Sequence, residues 1–453
     1  MIKEQRIKIK DKGIKNKGIK VFILCSLLFF FSVNAQEQEK GFIGKTIDLV
    51  INDWVSLGNS EINKFDFGRL QTLPSYNHLE GFRLRAGVAS NTRLHPHLFV
   101  RGYVAYGFND EKFKYRGEAA WVFNNPLYHE NEFPRNVLRL IHENDVYSFG
   151  EMNQRAPNDR LLITYNRSQN AMTYRQFTEL NYELETLSGF AFQMWMRRSE
   201  IIPAEGLYFQ TIDLSRYLPV PGEDISKFFH NNLITSDVGI TLHYAFGESY
   251  DQYKRKRKST SFQSPVLFLT HFVGIDGLLG SEVGYHRTEF SAQKRFLLGT
   301  AGRLDVIGEA IKVWNEVPFP LLAYHNNNRV HLIESPRFFL THATELMADE
   351  VYTARATFVG DDLLLAKVSI LNKLKMRELL AMRTSYGRLS QKNENSMFIF
   401  PHNAHQYNNQ PFVEGSIGIT NILGLLRVEY VHRFTYRDLP EAVLGMVRID
   451  VTL

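Results

Sequence analysis

Cysteine is almost missing from this chain. Of 453 residues one is cysteine, Cys25, and it falls inside a segment that reads as a removable leader. Disulfides and thiolate metal sites are therefore excluded from everything downstream. Beyond the leader no stretch approaches the roughly 18 continuous apolar residues of a membrane helix, so none is expected. Catalytic signatures are missing as well: no G-x-S-x-G elbow, no H-E-x-x-H helix, no glycine loop that would cradle phosphate. The expectation is a protein that is not an enzyme, with no catalytic residue, cofactor or metal.

The basic excess is also lost on inspection. Lys3, Arg6, Lys8, Lys10, Lys12, Lys15, Lys17 and Lys20 form a basic n-region against Glu4 and Asp11 alone. An apolar stretch from Val21 to Phe31 follows, and Val33-Asn34-Ala35 offers small residues for cleavage. Residues 1–35 thus read as a secretory signal peptide and 36–44 as a short periplasmic leader. Taking those eight basic and two acidic residues from 53 and 48 leaves 45 against 46, a net of −1. Nothing then supports a nucleic-acid partner.

What the chain has in quantity is aromatic residues, 34 Phe and 21 Tyr, and regular alternation. In the stretch 236–246, Val238, Ile240, Leu242, Tyr244 and Phe246 share one face, with Asp237, Gly239, Thr241, His243 and Ala245 on the other. Period-2 patterning over about ten residues suits a tilted strand long enough to cross a bilayer. Similar stretches occur at 81–90, 98–108, 113–123, 136–149, 173–185, 189–198, 265–274, 282–290, 296–307, 351–359, 376–387, 412–420, 426–434 and 443–453. A weaker candidate at 45–55 brings the count to sixteen, with a polar loop from there to about His78. Charged residues oppose the apolar stripe in strand after strand, which a wet lumen allows and a soluble sandwich seldom does. The fold expected is all-β: a transmembrane antiparallel barrel of about sixteen strands over 45–453, sited in the outer membrane. Val238, Ile240, Leu242 and Tyr244 should face lipid; Arg83, Arg85, Arg101, Lys114, Arg116 and Glu118 should face the lumen.

Connections alternate in length. Those at 186–188 and 421–424 are tight, while 199–235, 308–350 and 388–410 are long, as expected when both termini share the short-turn rim. The basic run Lys254-Arg255-Lys256-Arg257-Lys258 fits this badly, because it falls on the short-turn rim. Segment 308–350 is long and poor in alternation, and its aromatic and apolar residues are costly to leave in water. Trp314, Phe319, Leu321 and Phe338, with Leu322 and Phe339, are expected to pack inward as a plug, on a path fixed by prolines 318, 320 and 336. His129-Glu130 and His342 with Glu345 come nearest to metal or acid–base spacing, but each falls in an expected loop and is not read as a site; His95 and His97, around Pro96 in a short turn, read as solvated.

Several motifs carry a resemblance. Glu80-Gly81-Phe82-Arg83-Leu84-Arg85, Gly102-Tyr103-Val104-Ala105-Tyr106-Gly107, Pro265-Val266-Leu267, Gly277-Leu278-Leu279-Gly280-Ser281 and Gly308-Glu309-Ala310-Ile311-Lys312-Val313-Trp314 are five of them. Val317-Pro318-Phe319-Pro320-Leu321-Leu322, Lys373-Leu374-Lys375-Met376-Arg377-Glu378, Gly387-Arg388-Leu389-Ser390 and Phe434-Thr435-Tyr436-Arg437-Asp438 are the rest. Together they resemble a Bacteroidota outer-membrane barrel family of unknown function, whose members usually carry an N-terminal carboxypeptidase-regulatory-like β-sandwich. That family is distantly similar to the surface-antigen and barrel-assembly proteins, in which the long loop before the twelfth strand enters the lumen and locks through an arginine. Segment 308–350 falls at that place without the arginine-glycine-aromatic tip. The resemblance implies partners in outer-membrane lipid and in the barrel-assembly machinery. A passage or a surface scaffold is the leading expectation for function. An outer-membrane hydrolase with a rim site and an exported soluble β-sandwich binder are the alternatives.

Overall fold

The computed structural model describes residues 54–451 except 60, 69–72, 78, 150–163, 166–171, 205, 214–223, 246, 248–249, 253–254, 256, 260–263, 325–337, 343 and 425. All of them belong to one compact unit, Ile51–Leu453. The expected signal (1–35), leader (36–44) and most of the first strand candidate (45–55) lie outside the described residues.

Sixteen strands make the wall among the described residues: β1 (in two pieces, Phe65–Gly68 and Pro74–Asn77), β2 (Gly81–Ser90), β3 (Leu98–Gly107), β4 (Phe113–Val122), β5 (Asn136–Ser148), β6 (Met172–Glu185), β7 (Phe190–Pro203) and β8 (Leu233–Ala245), then β9 (Val266–Gly274), β10 (Tyr285–Leu297), β11 (Gly302–Val313), β12 (Glu350–Gly360), β13 (Arg377–Arg388), β14 (Phe412–Ile422), β15 (Leu426–Arg433) and β16 (Gly445–Val451). Each pairs antiparallel with the next in chain order. This single continuous meander curls into a barrel. Connections after odd strands beyond β3 are long, those at 204–232, 314–349 and 389–411 above all, and form the loop rim. The opposite, terminal rim holds the start of β1, the end of β16 and the turns at 91–97, 186–189, 298–301 and 423–425.

Alternation decides the register. In β8, Ile240, Leu242 and Tyr244 are exposed on the outer surface while Asp237, Gly239 and Thr241 are buried inside. A one-residue slip would exchange the two sets. Gly239 lies between Trp195 and Phe272, its partners on both neighbouring strands, and a side chain there would strike the Trp195 ring and the Phe272 Cβ. The outer apolar belt begins at the terminal rim. It ends part of the way up the wall, where His142, Thr178, His271 and Thr288 take outward positions.

Two expectations need correction. The stretch before His78 is not a polar loop: it supplies β1, and Trp54–Ser56 is only a short strand paired with its first piece. Its alternation was unreadable because the buried positions are polar, Asp66 and Asn77, and are satisfied by partners distant in sequence or across a turn. The terminal rim also carries three longer connections, 123–135, 246–265 and 361–376, so short turns do not occupy all of it.

Candidate functional site

The lumen is the candidate site, and side chains fill it from the wall and from both rims. On β2, β3 and β4 the residues Arg83, Arg85, Arg101, Lys114, Arg116 and Glu118 all lie on the inner face. Arg83 donates a two-pronged pair of hydrogen bonds to Asp145 at 2.7 and 2.8 Å. The Tyr103 hydroxyl donates to the same carboxylate at 2.5 Å, and Arg85 stacks on the Tyr103 ring, 3.6 Å from its centre. Lys114 sits 2.6 Å from Asp110 and 3.0 Å from Glu80. Glu118 takes Arg101 at 2.7 Å and Arg116 at 3.1 Å, and Arg116 also pairs with Glu143. Charges removed from water must be matched in this way, since an unmatched one costs several kcal/mol. The result is a wall that is charged yet internally neutralised, with its side chains held rather than free to line a channel.

The loop rim contributes an apolar core. Phe319 is fully buried, with ring centres of Phe149 and Phe209 at 5.7 and 5.8 Å, and Phe209 stacks on Phe398 at 4.9 Å. Leu321, Leu322 and Tyr324 are buried in the same cluster, against Tyr147, Trp195, Phe272 and Tyr285 from the inner wall. Backbone groups in this core need partners in the absence of water. Arg287 supplies them to the Leu321 and Leu322 carbonyls at 3.2 and 3.0 Å, and the Tyr324 hydroxyl donates to the Phe319 carbonyl at 2.6 Å. Burial pushes the Tyr324 phenol well above its usual pKa, so it remains a donor. Four separate connections meet here, through Phe149, Leu207, Phe319 and Phe398. Trp314 does not join them. It is half exposed on the outer face, donating to Thr288 at 2.9 Å under the Lys312 ammonium.

Further along the same connection, 338–345 is held by arginines and a glutamate of the wall from β12 to β16. Glu414 accepts the backbone N–H groups of Phe339 and Leu340 at 3.1 and 3.0 Å. The Phe339 ring lies 3.6 Å from the Arg448 guanidinium and 4.3 Å from that of Arg383. Arg355 stands 5.6 Å from the centre of the buried Phe338 ring. Arg433 donates to the Leu340 carbonyl at 3.0 Å and reaches Glu345 at 2.5 Å. Here the wall carries the cations, and the described part of the connection, from Phe338 on, offers rings and carbonyls. His342 and Glu345 are buried in this anchor, 3.7 Å apart. No group of metal-binding residues occurs among the described residues.

At the terminal rim one residue of the basic run, Arg255, reaches across to β1 and β2. Arg255, on the β8–β9 connection, is buried and reaches Asp66 at 2.6 Å and the Ala89 carbonyl at 3.2 Å, and it also bonds the Ser90 carbonyl. Trp54 and Tyr128 rings lie 5.3 and 5.6 Å from its guanidinium, and Glu130 is 3.6 Å away. In a ring of sixteen strands β8 and β9 stand opposite β1 and β2, so this contact spans the mouth. His129 and Glu130 belong to that cluster. His95 and His97 instead flank the Trp121 ring at 5.8 Å each, with His95 Nδ1 accepting the N–H of His97 and Leu98.

Sequence reasoning did not single out Arg383, Glu414, Arg433 or Arg448, and it noted Arg255 only as part of a basic run with no evident role. For those four a signal existed: each is a charge at an inner position of an alternating strand. For Arg255 the run of charge was visible but its partners were not, because nothing local shows that a connection reaches across a mouth.

This geometry defines a class, an antiparallel barrel of sixteen strands whose own connections fill its interior. A family model described as "Family of unknown function (DUF5686) C-terminal domain" matches residues 48–396, and the chain belongs to that family. Among solved structures it is similar to "The crystal structure of BamA from Haemophilus ducreyi lacking POTRA domains 1-3". The TM-score is 0.53 at 9% identity, over 85% of this chain and 69% of that one, a likeness of fold alone. No curated protein matches.

Proposed function

We propose that this chain is an outer-membrane barrel of non-enzymatic role that stands closed, serving as a surface scaffold rather than as an open passage. The observation that carries this reading is the filled lumen: a neutralised charged wall, a core of loop aromatics and a strapped terminal mouth. A diffusion pore needs a wet path, whereas here the inward charges of β2 to β4 and the anchor at 338–345 are committed to partners. Support for the membrane comes from the outer belt of Ile240, Leu242, Tyr244 and their counterparts. Support for export comes from the basic and apolar pattern of residues 1–35. The bacterial setting and the barrel-assembly machinery as a partner in biogenesis rest on the resemblance. Two measurements test the reading. After alkaline extraction of envelopes, the chain should remain with the detergent-soluble membrane fraction. In planar bilayers the purified chain should give no steady conductance. Steady ohmic channels from the wild-type chain would sink the closed scaffold in favour of a passage.

A further inference from the structure

The connection between β12 and β13 is out of proportion to most turns on the terminal rim, and its composition is unlike theirs. Residues 361–376 read Asp-Asp-Leu-Leu-Leu-Ala-Lys-Val-Ser-Ile-Leu-Asn-Lys-Leu-Lys-Met. They form a 3-10 turn (Leu365–Lys367) and a short helix (Ser369–Lys373). The helix closes with Lys375 in the left-handed region at φ 57, its N–H donating to the Asn372 carbonyl and that of Met376 to the Leu371 carbonyl, at 2.9 and 3.0 Å. The start of the 3-10 turn is fixed as well: Leu364 and Leu365 donate backbone N–H groups to the Glu378 carboxylate at 3.0 and 3.3 Å. Flanking turns hold both ends, through Asp362 N–H to the Thr300 carbonyl at 3.1 Å and Leu423 N–H to the Leu374 carbonyl at 2.8 Å. The segment is thus a shelf built across three neighbouring hairpins.

Three of its apolar side chains point away from the protein, while Leu363, Leu365, Leu371, Leu374 and Met376 are half-buried. Leu364 and Ile370 are 72% and 71% exposed, Val368 is exposed beside them, and Leu297, Leu298 and Leu423 on the flanking turns extend the patch. Lys367, Lys373 and Lys375 are exposed on the same segment. An apolar surface of this kind, with three exposed lysines along it and the exposed Asp361 and Asp362 only at its start, marks an interaction site.

We propose that the 361–376 shelf docks into the headgroup layer of the adjoining leaflet, with Leu364, Val368 and Ile370 in the acyl boundary and the three lysines on anionic phospholipid phosphates. The inference rests on the membrane-barrel reading above. Continuity with the outer belt selects lipid as the occupant: Phe296, Leu380 and Ile417, outward-facing and exposed, bring the belt down to the hairpins on which the shelf sits. The pattern of lysine and large apolar side chains is that of an interfacial segment.

The test places an environment-sensitive fluorophore at Ile370→Cys in the full chain, with Cys25→Ser removing the native thiol. Vesicles of phosphatidylcholine are compared with vesicles in which phosphatidylglycerol replaces about one part in three. Ile240→Cys on the wall and Gln391→Cys on the loop rim serve as lipid and water references. The label at 370 should be quenched by iodide at least about threefold more slowly than the label at 391, with a further blue shift in the anionic vesicles. Lys367→Glu, Lys373→Glu and Lys375→Glu together should abolish that further shift. A 370 label quenched as fast as 391, with 240 protected, overturns the shelf and leaves the barrel standing. Fast quenching at 240 would instead defeat the barrel reading itself. Protection indifferent to lipid charge overturns the anionic recognition. Protection that vanishes when protein is diluted in lipid would assign the patch to a second copy.

Discussion

Arg433 shows how much of the closed state depends on single buried charges. It is fully buried, and its partners are the Glu345 carboxylate and the carbonyls of Leu340, Thr435 and Tyr436. Arg433→Met would keep most of the volume and strand Glu345 without its cation. The expected loss is on the order of 3–5 kcal/mol, read as a lower guanidinium midpoint for the folded, heat-modifiable band. Adding Glu345→Gln should recover part of it, and a single variant as stable as wild type would show that the pair is not a latch. His129 makes a second prediction at this scale. Burial is the main cause holding its imidazole below the ordinary histidine value of 6.5, with Arg255 and Arg101 acting the same way and Glu130 and Glu132 opposing. The folded state then binds fewer protons than the unfolded one below that value. Its contribution is present above about pH 6.5 and is lost as pH falls through the lowered pKa. Melting temperature should fall between pH 7 and 5, and His129→Gln should flatten that part of the profile; an unchanged slope would remove His129 from the account. The inner arginines of β2 to β4 were legible because each opposes an outward apolar residue. The value of Arg433 was not, since its partner lies 88 residues earlier, at Glu345.

Among elements, the strands with apolar outer faces were the readable part of the fold. β8 is the clear case, and β10 and β11 differ from expectation mainly in where the turn falls, at 298–301. β1 was missed because a strand whose buried side is polar sends no hydropathy signal; Asp66 and Asn77 hide by being well paired. The loop entry from 317 to 324 was foreseeable, because those residues are too apolar for water. Trp314 was misplaced with them: it directly follows β11 on the outward phase, and the phase of a strand outweighs the hydrophobicity of one residue. The same phase argument gives a prediction. Ile240→Arg places a guanidinium in the outer belt and should cost about 2–4 kcal/mol. The cost is measurable by urea titration of the barrel in phosphatidylcholine vesicles. Ser291→Arg, a polar-to-charged change on β10, is no control, because its own partners would differ. His243→Arg, further along β8 on the inner face near the terminal rim, is the better comparison and should cost less. Equal costs at 240 and 243 would mean that the assigned outer face of β8 is wrong.

At the scale of the molecule, the two closures stand in series. The loop-rim core and the 338–345 anchor block one half of the lumen, and Arg255 with its cluster spans the opposite mouth. Resistances in series add, so removing the smaller changes little while the larger persists. Arg255→Ala alone should therefore leave the bilayer silent, because the aromatic core is untouched. Replacing 317–347 by a short Gly-Ser linker should give at most small conductance, because the strap still crosses the terminal mouth. Combining the two should open a path limited by the wall itself, and a barrel of sixteen strands is wide enough for water and ions. The combined variant should conduct at least about tenfold more than either single one. The inner wall carries both signs of charge in close pairs, so weak ion selectivity is expected from the opened path. Each variant must first migrate as a folded, heat-modifiable band, since the loop replacement also removes Phe319 and its neighbours from the core. Full conductance from the loop replacement alone would show that Arg255 ties the rim without closing it. Silence from the folded double variant would mean that the paired wall side chains of β2 to β7 fill the lumen by themselves, making the barrel a solid scaffold.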